Sequence, residues 1–457
     1  MQMKSAGKLF VKYVSLNVLG MIALSSYILA DTYFIAGGIG ELGLAALNFA
    51  IPAFSLVNGT GLMLGMGGGT LYSILSAGRE TARANRVYTQ SVIIGLIISV
   101  LYAVIGASAA VPLSYLLGAD SETIGLTSEY LRTLLAFSPL FVMNNVFLGF
   151  LRNDNAPRLA MTGMVVGSLS NVLLDYVFIF PLGLGMFGAA LATCIAPFIS
   201  LTFQSFHFWL KKNNVKFVRM RFSAREAGRT VALGVPALLT ELSTGVVMLV
   251  FNYIMLDLAG NVGVAAYGVT ANIAIVVIGV FTGIAQGSQP VESMYYGKGD
   301  RRNLHKILIY AIGTAVAVGA VVYTVCGIFA EEIAALFNRQ QAPNLTEIAS
   351  GGMRLYFISF LPAGVSIILS NYMSATDQPR PAFAVTLTRG WIAIIPMAFL
   401  MSSLAGMTGA WLSFVVAETI GLILAIICIS VVSRKETFLC SGVPEYHRAR
   451  YTATEND

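Results

Sequence analysis

Apolar and polar positions along this 457-residue chain fall into long blocks, and the block pattern predicts the fold. Turn residues and charges separate twelve apolar runs, each long enough for the roughly 20 residues that a membrane-spanning helix needs. The runs lie approximately at residues 13–37, 44–76, 88–117, 123–151, 159–181, 187–210, 228–257, 263–296, 304–330, 346–374, 381–401 and 408–432. The pattern predicts an all-α polytopic membrane protein with twelve transmembrane helices.

Composition and charge give the orientation. The chain is 56% hydrophobic and 11% charged, whereas soluble domains are about 25% charged. Cytoplasmic loops of membrane proteins collect Lys and Arg, and with the N-terminus inside, 25 of the 28 such residues fall on that side. Arg389 is among them, placed near the cytoplasmic end of the eleventh run. We therefore expect a multi-pass protein of the inner (plasma) membrane with both termini cytoplasmic, and the basic loops need no nucleic acid to explain them.

The chain repeats itself at an offset of 220 to 222 residues. The matches pair Gly40 with Gly260, Gly61 with Gly283, Gly65 with Gly287, Pro157 with Pro379 and Gly185 with Gly406. Each half holds six runs, an even number, so the two six-helix bundles should be related by a pseudo-twofold axis along the membrane normal. We predict an N-lobe at 1–210, a cytoplasmic linker at 211–227, a C-lobe at 228–432 and a cytoplasmic tail at 433–457, with the substrate path between the lobes.

Two carboxylates, Asp31 and Asp175, lie inside apolar runs. A charge at bilayer depth costs roughly 3 kcal/mol even on the gentlest insertion scale, so such residues commonly handle an ion or a proton. Asn171 precedes Asp175 by one helical turn, which stacks the two side chains about 6 Å apart on one face. The pattern indicates a transporter.

Thr193 and Tyr130 are expected near the same depth on neighbouring helices. Together with Asp31, Asn171 and Asp175 they form a set of hard oxygens, which suits Na+ or a shared proton. The alternative is that the acid and amide side chains only hydrogen-bond neighbouring helices, and Thr193 its own backbone. In either reading no other cofactor is expected.

Glu241 lies about halfway along the seventh run, without a basic residue nearby in sequence. Facing the cleft, it would attract an organic cation or take a proton; the alternative is a neutral carboxyl hydrogen-bonded to another helix. Glu418 in the twelfth run is a weaker candidate, expected to be structural. The histidines, His207 among them, lie at or beyond the ends of the runs and are interpreted as solvated loop residues.

These residues resemble those of the multidrug and toxic compound extrusion (MATE) family over essentially the whole chain. The specific matches are the Tyr27-x-x-x-Asp31 end of the first helix, the Asn171-Val-Leu-Leu-Asp175-Tyr motif and the Gly-x-x-Gly-Ala-Ala start of the sixth helix. The resemblance implies that Asp31, Asn171, Asp175 and Thr193 form an N-lobe cation site with Tyr130 near it, and that Glu241 is the acidic residue of the seventh helix that binds substrate.

Family membership implies secondary antiport rather than enzyme activity. Small organic cations such as dyes, biocides and antibiotics would leave in exchange for inward Na+ or H+, and we expect the chain to function as a monomer in the lipid bilayer. The sequence departs from the family pattern in two places. The tenth helix has no Asp or Glu, only Asn371 near its end, and the first has Leu16 near the place where some relatives have a bending proline.

Two other functions are weighed. A lipid-linked oligosaccharide flippase of the same superfamily should place Arg or Lys in the cleft to meet pyrophosphate, and the sequence predicts no basic residue in the middle of a span. A membrane enzyme would need a nucleophile, a metal or a general-base cluster near an interface, and none is visible in the sequence.

Overall fold

The computed structural model describes residues 5–209, 213–337 and 344–441, which are almost entirely helical and contain no strand. The helices are α1 (Ala6–Gly38), α2 (Glu41–Ala77), α3 (Thr81–Leu116), α4 (Ile124–Ala136), α5 (Ser138–Asn153), α6 (Pro157–Ile179), α7 (Gly185–Trp209), α8 (Ala224–Gly297), α9 (Arg301–Ile328), α10 (Ala330–Phe337), α11 (Leu345–Tyr356), α12 (Phe360–Ala375), α13 (Pro379–Leu387) and α14 (Ile394–Ser441). A 3₁₀ turn joins α11 to α12, and a π-helical turn over Thr388–Ile392 joins α13 to α14.

The predicted number of spans is confirmed. Among the described residues, nine continuous helical segments are long and apolar enough to cross a bilayer, and α4 with α5, bent by 50°, forms a tenth span. Two of the nine segments are broken in the middle, at Ala259-Gly260 in α8 and at Ala405-Gly406 in α14. Each broken segment supplies two spans, so twelve helices cross the membrane in two bundles of six.

The sequence repeat is also a repeat of backbone conformation. Gly40 and its counterpart Gly260 have φ of 89° and 61°, and Gly185 and its counterpart Gly406 have φ of 57° and 56°. Residues with a side chain rarely adopt this left-handed region, so glycine is needed at these turns. The two halves therefore turn at equivalent places, as expected for two six-helix bundles that are related by a pseudo-twofold axis.

Glycines bring the two lobes into close contact. A side chain at Gly67 of α2 would collide with the backbone of Thr230 and Gly234 in the first half of α8. On the symmetry-related side, side chains at Gly283 and Gly287 would collide with the backbone of α1. Small residues allow membrane helices to approach to backbone contact. Each lobe thus packs its first two helices against the first two of the other lobe.

The lobes are also joined at one end of the bundle, where α1 begins and α2 and α8 end; we call it the basic end. The guanidinium of Arg152 donates a hydrogen bond of 2.7 Å to Gln286 Oε1 in α8. Gln289 Nε2 donates to Thr70 Oγ1 at 2.8 Å, and Ser73 Oγ to the Pro290 carbonyl at 3.4 Å. These polar contacts close the space between the lobes at the basic end.

Candidate functional site

Three of the predicted site residues lie where α1 packs against α6. Asp31 is 7% exposed, and Asn171 and Asp175 have no exposed surface. Asn171 and Asp175 lie one turn apart, which places both side chains on the same face of α6. The carboxylates of Asp31 and Asp175 are close enough to interact electrostatically. The structure therefore brings the three residues together inside the N-lobe.

Five polar atoms of this set have no protein partners. Asp31 Oδ1, both carboxylate oxygens of Asp175 and both polar atoms of the Asn171 amide are buried without a hydrogen bond. About 90% or more of buried polar groups in folded proteins are hydrogen-bonded, and a buried charge without a partner is costly. Carboxylate and amide oxygens are ligands that hard cations prefer. These atoms fit a small cation or a proton, either of which would also offset the repulsion between the two acids.

Thr193 and Tyr130 complete the group. Thr193 on α7 is 5% exposed and Tyr130 on α4 is 3% exposed. The Thr193 hydroxyl donates to the Ala189 carbonyl at 3.1 Å, which leaves its oxygen lone pairs free to accept. Tyr130 lies within hydrogen-bonding reach of Thr193 and interacts electrostatically with both acids. Four helices, α1, α4, α6 and α7, thus supply the oxygen set.

Tyr27 is a further member that the sequence reasoning did not assign to the site. It lies one turn before Asp31 on α1, and it interacts electrostatically with Asp31, Asp175 and Glu241. The signal was present in the Tyr27-x-x-x-Asp31 spacing, because residues four apart lie on the same helix face. Tyr27 therefore lies near the N-lobe acids and also near the acid of the other lobe.

Glu241 lies at the contact between the lobes and has a protein partner. Its Oε1 accepts a 2.9 Å hydrogen bond from Asn58 Nδ2 on α2. Asn58 Oδ1 in turn accepts a 2.7 Å hydrogen bond from Asn145 Nδ2 on α5. The geometry agrees with both interpretations of Glu241 from the sequence. The carboxyl is hydrogen-bonded to another helix, and its second oxygen is left for a further partner such as an organic cation or a proton.

The structure corrects the position of Arg389. This residue lies in the π-helical turn inside the eleventh span and is 9% exposed, so a basic residue does occur in the middle of a span. Its Nη2 and Nε donate to the two oxygens of Glu418 at 2.8 and 3.0 Å. Glu418 also accepts from Ser366. The pairing depends on how α13 and α14 pack, which the charge pattern alone did not indicate.

Asn371, the polar residue of the tenth span, is also occupied. Its Nδ2 donates a hydrogen bond of 2.7 Å to the Ala285 carbonyl of α8. In the C-lobe, the Arg389 guanidinium is the cation that pairs with Glu418. Asp31 and Asp175 in the N-lobe have no such basic partner among the described ion pairs. A bidentate guanidinium satisfies both carboxylate oxygens, so this pair needs no added cation.

The prediction that His207 is a solvated loop residue is wrong. His207 is 5% exposed, and its Nε2 lies 2.8 Å from Asp154 Oδ2. The same carboxylate accepts hydrogen bonds from Tyr72 Oη and from the backbone and side-chain nitrogens of Asn214. Asp154 therefore fastens the start of the extended segment 213–223 to the basic end of the N-lobe.

Comparison with known families decides the identity. The model of the MatE family matches residues 18–177 and 236–400, which is more than half of the chain. The chain belongs to the MatE family. As a MatE protein it is a multi-pass membrane transporter, and both halves of the repeat carry one matched segment.

Named relatives and solved structures agree with this assignment. "Multidrug export protein MepA" of Staphylococcus saprophyticus is 28% identical over 407 residues, covering 88% of this chain and 89% of that protein. The protein of the same name from Staphylococcus aureus strain MRSA252 is 26% identical over 412 residues, with the same coverage of 88% and 89%.

Two solved structures show how far the fold of this MatE protein is shared. An outward-facing multidrug resistance MATE family transporter superposes with a TM-score of 0.88 at 25% identity, covering 94% of this chain and 97% of that one. A MOP superfamily transporter from Pyrococcus furiosus, described by the reverse polarity of its binding pocket, gives 0.86 at 25% identity, covering 93% and 95%.

Proposed function

We propose that this MatE protein exports small organic cations, such as dyes, biocides and antibiotics, in exchange for inward Na+ or H+. It acts as a monomer in the inner (plasma) membrane, with both termini and the basic end facing the cytoplasm. The multidrug export proteins that resemble it support the substrate class. The coupling ion binds at Asp31, Asn171, Asp175 and Thr193, with Tyr130 beside them, and the organic cation at Glu241.

The observation that carries this proposal is the set of buried polar atoms without partners on Asp31, Asn171 and Asp175. A purely structural role would be expected to pair these atoms with neighbouring helices, as Arg389 is paired with Glu418. Two ionised carboxylates carry two negative charges, so a bound monovalent cation or proton offsets one of them and lowers their mutual repulsion. The N-lobe group therefore has the composition of a reversible ion site.

The position of Tyr27 near the acids of both sites suggests how ion and substrate compete. Tyr27 interacts electrostatically with Asp31 and Asp175 on one side and with Glu241 on the other. A cation bound at either place lowers the electrostatic attraction for a second cation at the other, since the fields of nearby charges add. Entry of Na+ or H+ at the N-lobe acids would therefore favour release of the organic cation held at Glu241.

The contact between the lobes suggests how occupancy reaches the rest of the molecule. Asp31 lies on α1, and the same helix packs backbone to backbone against Gly283 and Gly287 of α8. A small change in α1 on ion binding is therefore transmitted directly to the other lobe. In alternating access, two rigid bundles rock about a fixed central site. Opening of the basic end would break the contacts of Arg152 and Gln289.

The flippase alternative receives less support. Its expected signature is a free basic group in the cleft that can bind pyrophosphate. The buried Arg389 is instead paired with Glu418, and the buried Arg152 donates to Gln286. Both guanidinium groups donate to other helices, although Arg152 Nε has no partner. In the group of Asp31, Asn171 and Asp175, three of the five unpaired buried atoms are carboxylate oxygens, which would repel pyrophosphate.

The proposal is tested by transport in proteoliposomes. Purified protein is reconstituted and loaded with a fluorescent organic cation, and efflux is followed under an imposed Na+ gradient and, separately, under a pH gradient. We expect efflux under at least one gradient in the wild type and its loss in Asp175→Asn. Efflux that is absent under both gradients, or that is unchanged in the variant, would contradict the proposal.

A further inference from the structure

Glu292 is a second buried acid without a partner, and it lies outside the site described above. It is on α8, five residues before the helix ends at Gly297, and has no exposed surface. Neither of its carboxylate oxygens has a hydrogen-bond partner. The nearest hydroxyl along the helix, that of Ser288, lies close enough to interact with the carboxyl but donates its hydrogen bond to the Ala285 carbonyl, at 3.0 Å.

No ion pair among the described residues includes Glu292. The titratable side chains on the helices packed around this part of α8 are exposed or are bonded elsewhere. Tyr72 donates to Asp154 and Tyr13 to Asn155, Tyr372 on α12 is half-buried with a partner of its own, and Arg301, Arg302, His305 and Lys306 on α9 and Arg380 on α13 are exposed. Arg152 on α5 is a buried cation that also contacts α8, but its guanidinium donates to Gln286 and to Met164. No described cation is therefore hydrogen-bonded to the Glu292 carboxyl.

The position of Glu292 on α8 places it on the face towards α12. Phe281, Ala285, Ser288 and Glu292 follow a spacing of four, three and four residues, which forms one stripe along a helix. Phe281 packs against Gly364 of α12, and the Ala285 carbonyl accepts from Asn371 of the same helix. Glu292 thus continues the stripe towards the basic end, inside the C-lobe.

The contacts that join the lobes lie one turn away on the adjacent face of α8. Gln289, three residues earlier, donates to Thr70, and the Pro290 carbonyl accepts from Ser73. A side chain at Gly297 would collide with the backbone of Ile74. Separation of the lobes at the basic end would break these contacts and expose this face of α8 to water, one turn from Glu292.

A lone buried carboxyl selects a proton as its ligand. An isolated ionised carboxylate in an apolar interior costs far more than its protonated form. A Na+ or a divalent ion would need several oxygens around it, whereas a proton needs one. Within the described ranges, no group of three or more His, Cys, Asp or Glu side chains is placed to hold a metal ion.

We propose that Glu292 is a proton-binding site of the C-lobe that is linked to closure of the basic end. In the closed state the carboxyl carries its proton. When the basic end opens, the O–H bond breaks, the proton passes to water on that side, and the carboxylate is left solvated. By linkage, a ligand that binds one state better shifts the population to that state, so the proton favours closure. The proposal rests on the proposed antiport only for the direction of net proton movement.

The protonation state is tested by infrared difference spectroscopy of the purified full-length chain in lipid. The spectrum of Glu292→Gln is subtracted from that of the wild type at neutral pH. We expect the loss of one carbonyl band of a protonated carboxyl. Loss of the paired bands of an ionised carboxylate would overturn the proposal. Glu332→Gln, at an exposed position on α10, is the matched control and should lose carboxylate bands only. If the glutamine variant is unstable, Glu292→Met provides a similar volume without polar atoms.

The link to closure is tested by distance measurement, which does not depend on transport. Spin labels are placed at the exposed positions Arg79 and Lys298, beyond the ends of α2 and α8, in a chain whose native cysteines are replaced by alanine and that carries Asp31→Asn and Asp175→Asn. We expect the closed fraction to fall as the pH rises, and this shift to be lost on adding Glu292→Gln.

A pH-dependent shift that persists after Glu292→Gln would overturn the link. Because the two N-lobe acids are already replaced in this background, the result is independent of whether they form the coupling site. If gradient-driven efflux is absent but the pH-dependent shift is lost with Glu292→Gln, then Glu292 is a proton site of a transporter with another energy source. If gradient-driven efflux is present but the pH-dependent shift persists after Glu292→Gln, then the N-lobe site is the only proposed ion site that is supported.

Discussion

Asn58 on α2 donates a 2.9 Å hydrogen bond to Glu241 on α8, and this bond crosses from one lobe to the other. The acid expected to bind substrate is therefore also part of the contact that a rocking motion must alter. Because Asn58 is itself held by Asn145 of α5, the position of Glu241 is set by the N-lobe. The proposed substrate site and the contact between the lobes therefore share one carboxylate.

Glu241→Gln should weaken binding of organic cations at least about tenfold while changing binding of neutral compounds little. Glutamine keeps the acceptor for Asn58 but removes the charge, and a charge pair a few ångströms apart in a protein is worth more than about 1.4 kcal/mol. Fluorescence titration with a cationic and a neutral dye measures the two affinities. Equal changes for both dyes would assign Glu241 to structure.

Asn58→Ala is the companion variant. It removes the hydrogen bond and keeps the charge, so we expect the preference for cations to remain. The stability should fall by about 1 kcal/mol, the usual net contribution of a hydrogen bond, because the Asn58–Glu241 bond is part-buried. Thermal unfolding in detergent measures the stability. A loss of cation preference equal to that of Glu241→Gln would show that the position of the acid, rather than its charge, selects the substrate.

Asp31→Asn and Asp175→Asn should each abolish coupled export while leaving folding and membrane abundance intact. Asp31 Oδ1 and the two carboxylate oxygens of Asp175 accept no hydrogen bond. Replacing either acid by asparagine therefore breaks no described contact at these atoms. It also removes the repulsion between the two charges. Export of a dye from cells and the unfolding temperature of purified protein are the two measurements. Normal export in both variants would defeat the N-lobe site.

Breaking the Arg389–Glu418 pair should destabilise the C-lobe. Arg389→Ala leaves the buried Glu418 without its cation, at a cost of about 3 to 5 kcal/mol. Replacing both residues, as Arg389→Met with Glu418→Leu, should recover most of that stability, because buried ion pairs often contribute little over apolar packing. Export by the double variant, measured in parallel with thermal unfolding, should continue. Loss of export from a stable double variant would give the pair a role in transport.

Asp154→Ala should loosen the segment after α7. The substitution removes the acceptor shared by Tyr72, His207 and Asn214, which should cost about 2 kcal/mol or more. We expect trypsin to cut faster at the exposed Arg219 and Arg221, as followed by gel electrophoresis. His207→Gln keeps a donor and should have a smaller effect. Unchanged cleavage in Asp154→Ala would show that other contacts hold the segment.

The sequence predicted the parts of this structure that depend on local chemistry. Run lengths predicted the twelve spans, and the glycine matches predicted the repeat because Gly40, Gly185, Gly260 and Gly406 are needed for their positive φ. The burial of Asp31 and Asp175 followed from their position inside apolar runs. These features are set by the chain itself, within one helix or one turn.

Features that depend on packing between helices were harder to predict. Arg389 was assigned to a membrane end because its partner Glu418 lies 29 residues away on another helix. His207 was interpreted as solvated because its partner Asp154 follows α5, 53 residues earlier. Glu292 was not predicted to be a buried site, because it lies near the end of its apolar run, where an acid could reach water. Only the packed structure shows that its oxygens are buried.

The central claim is that the N-lobe acids bind the coupling ion that the organic cation displaces. The most direct test adds an organic cation to purified, weakly buffered protein and records released protons with a pH dye and released Na+ with an ion-selective electrode. We predict that the wild type releases one of these ions in proportion to bound substrate, and that Asp31→Asn and Asp175→Asn release neither. Equal ion release from both variants and the wild type would contradict the account.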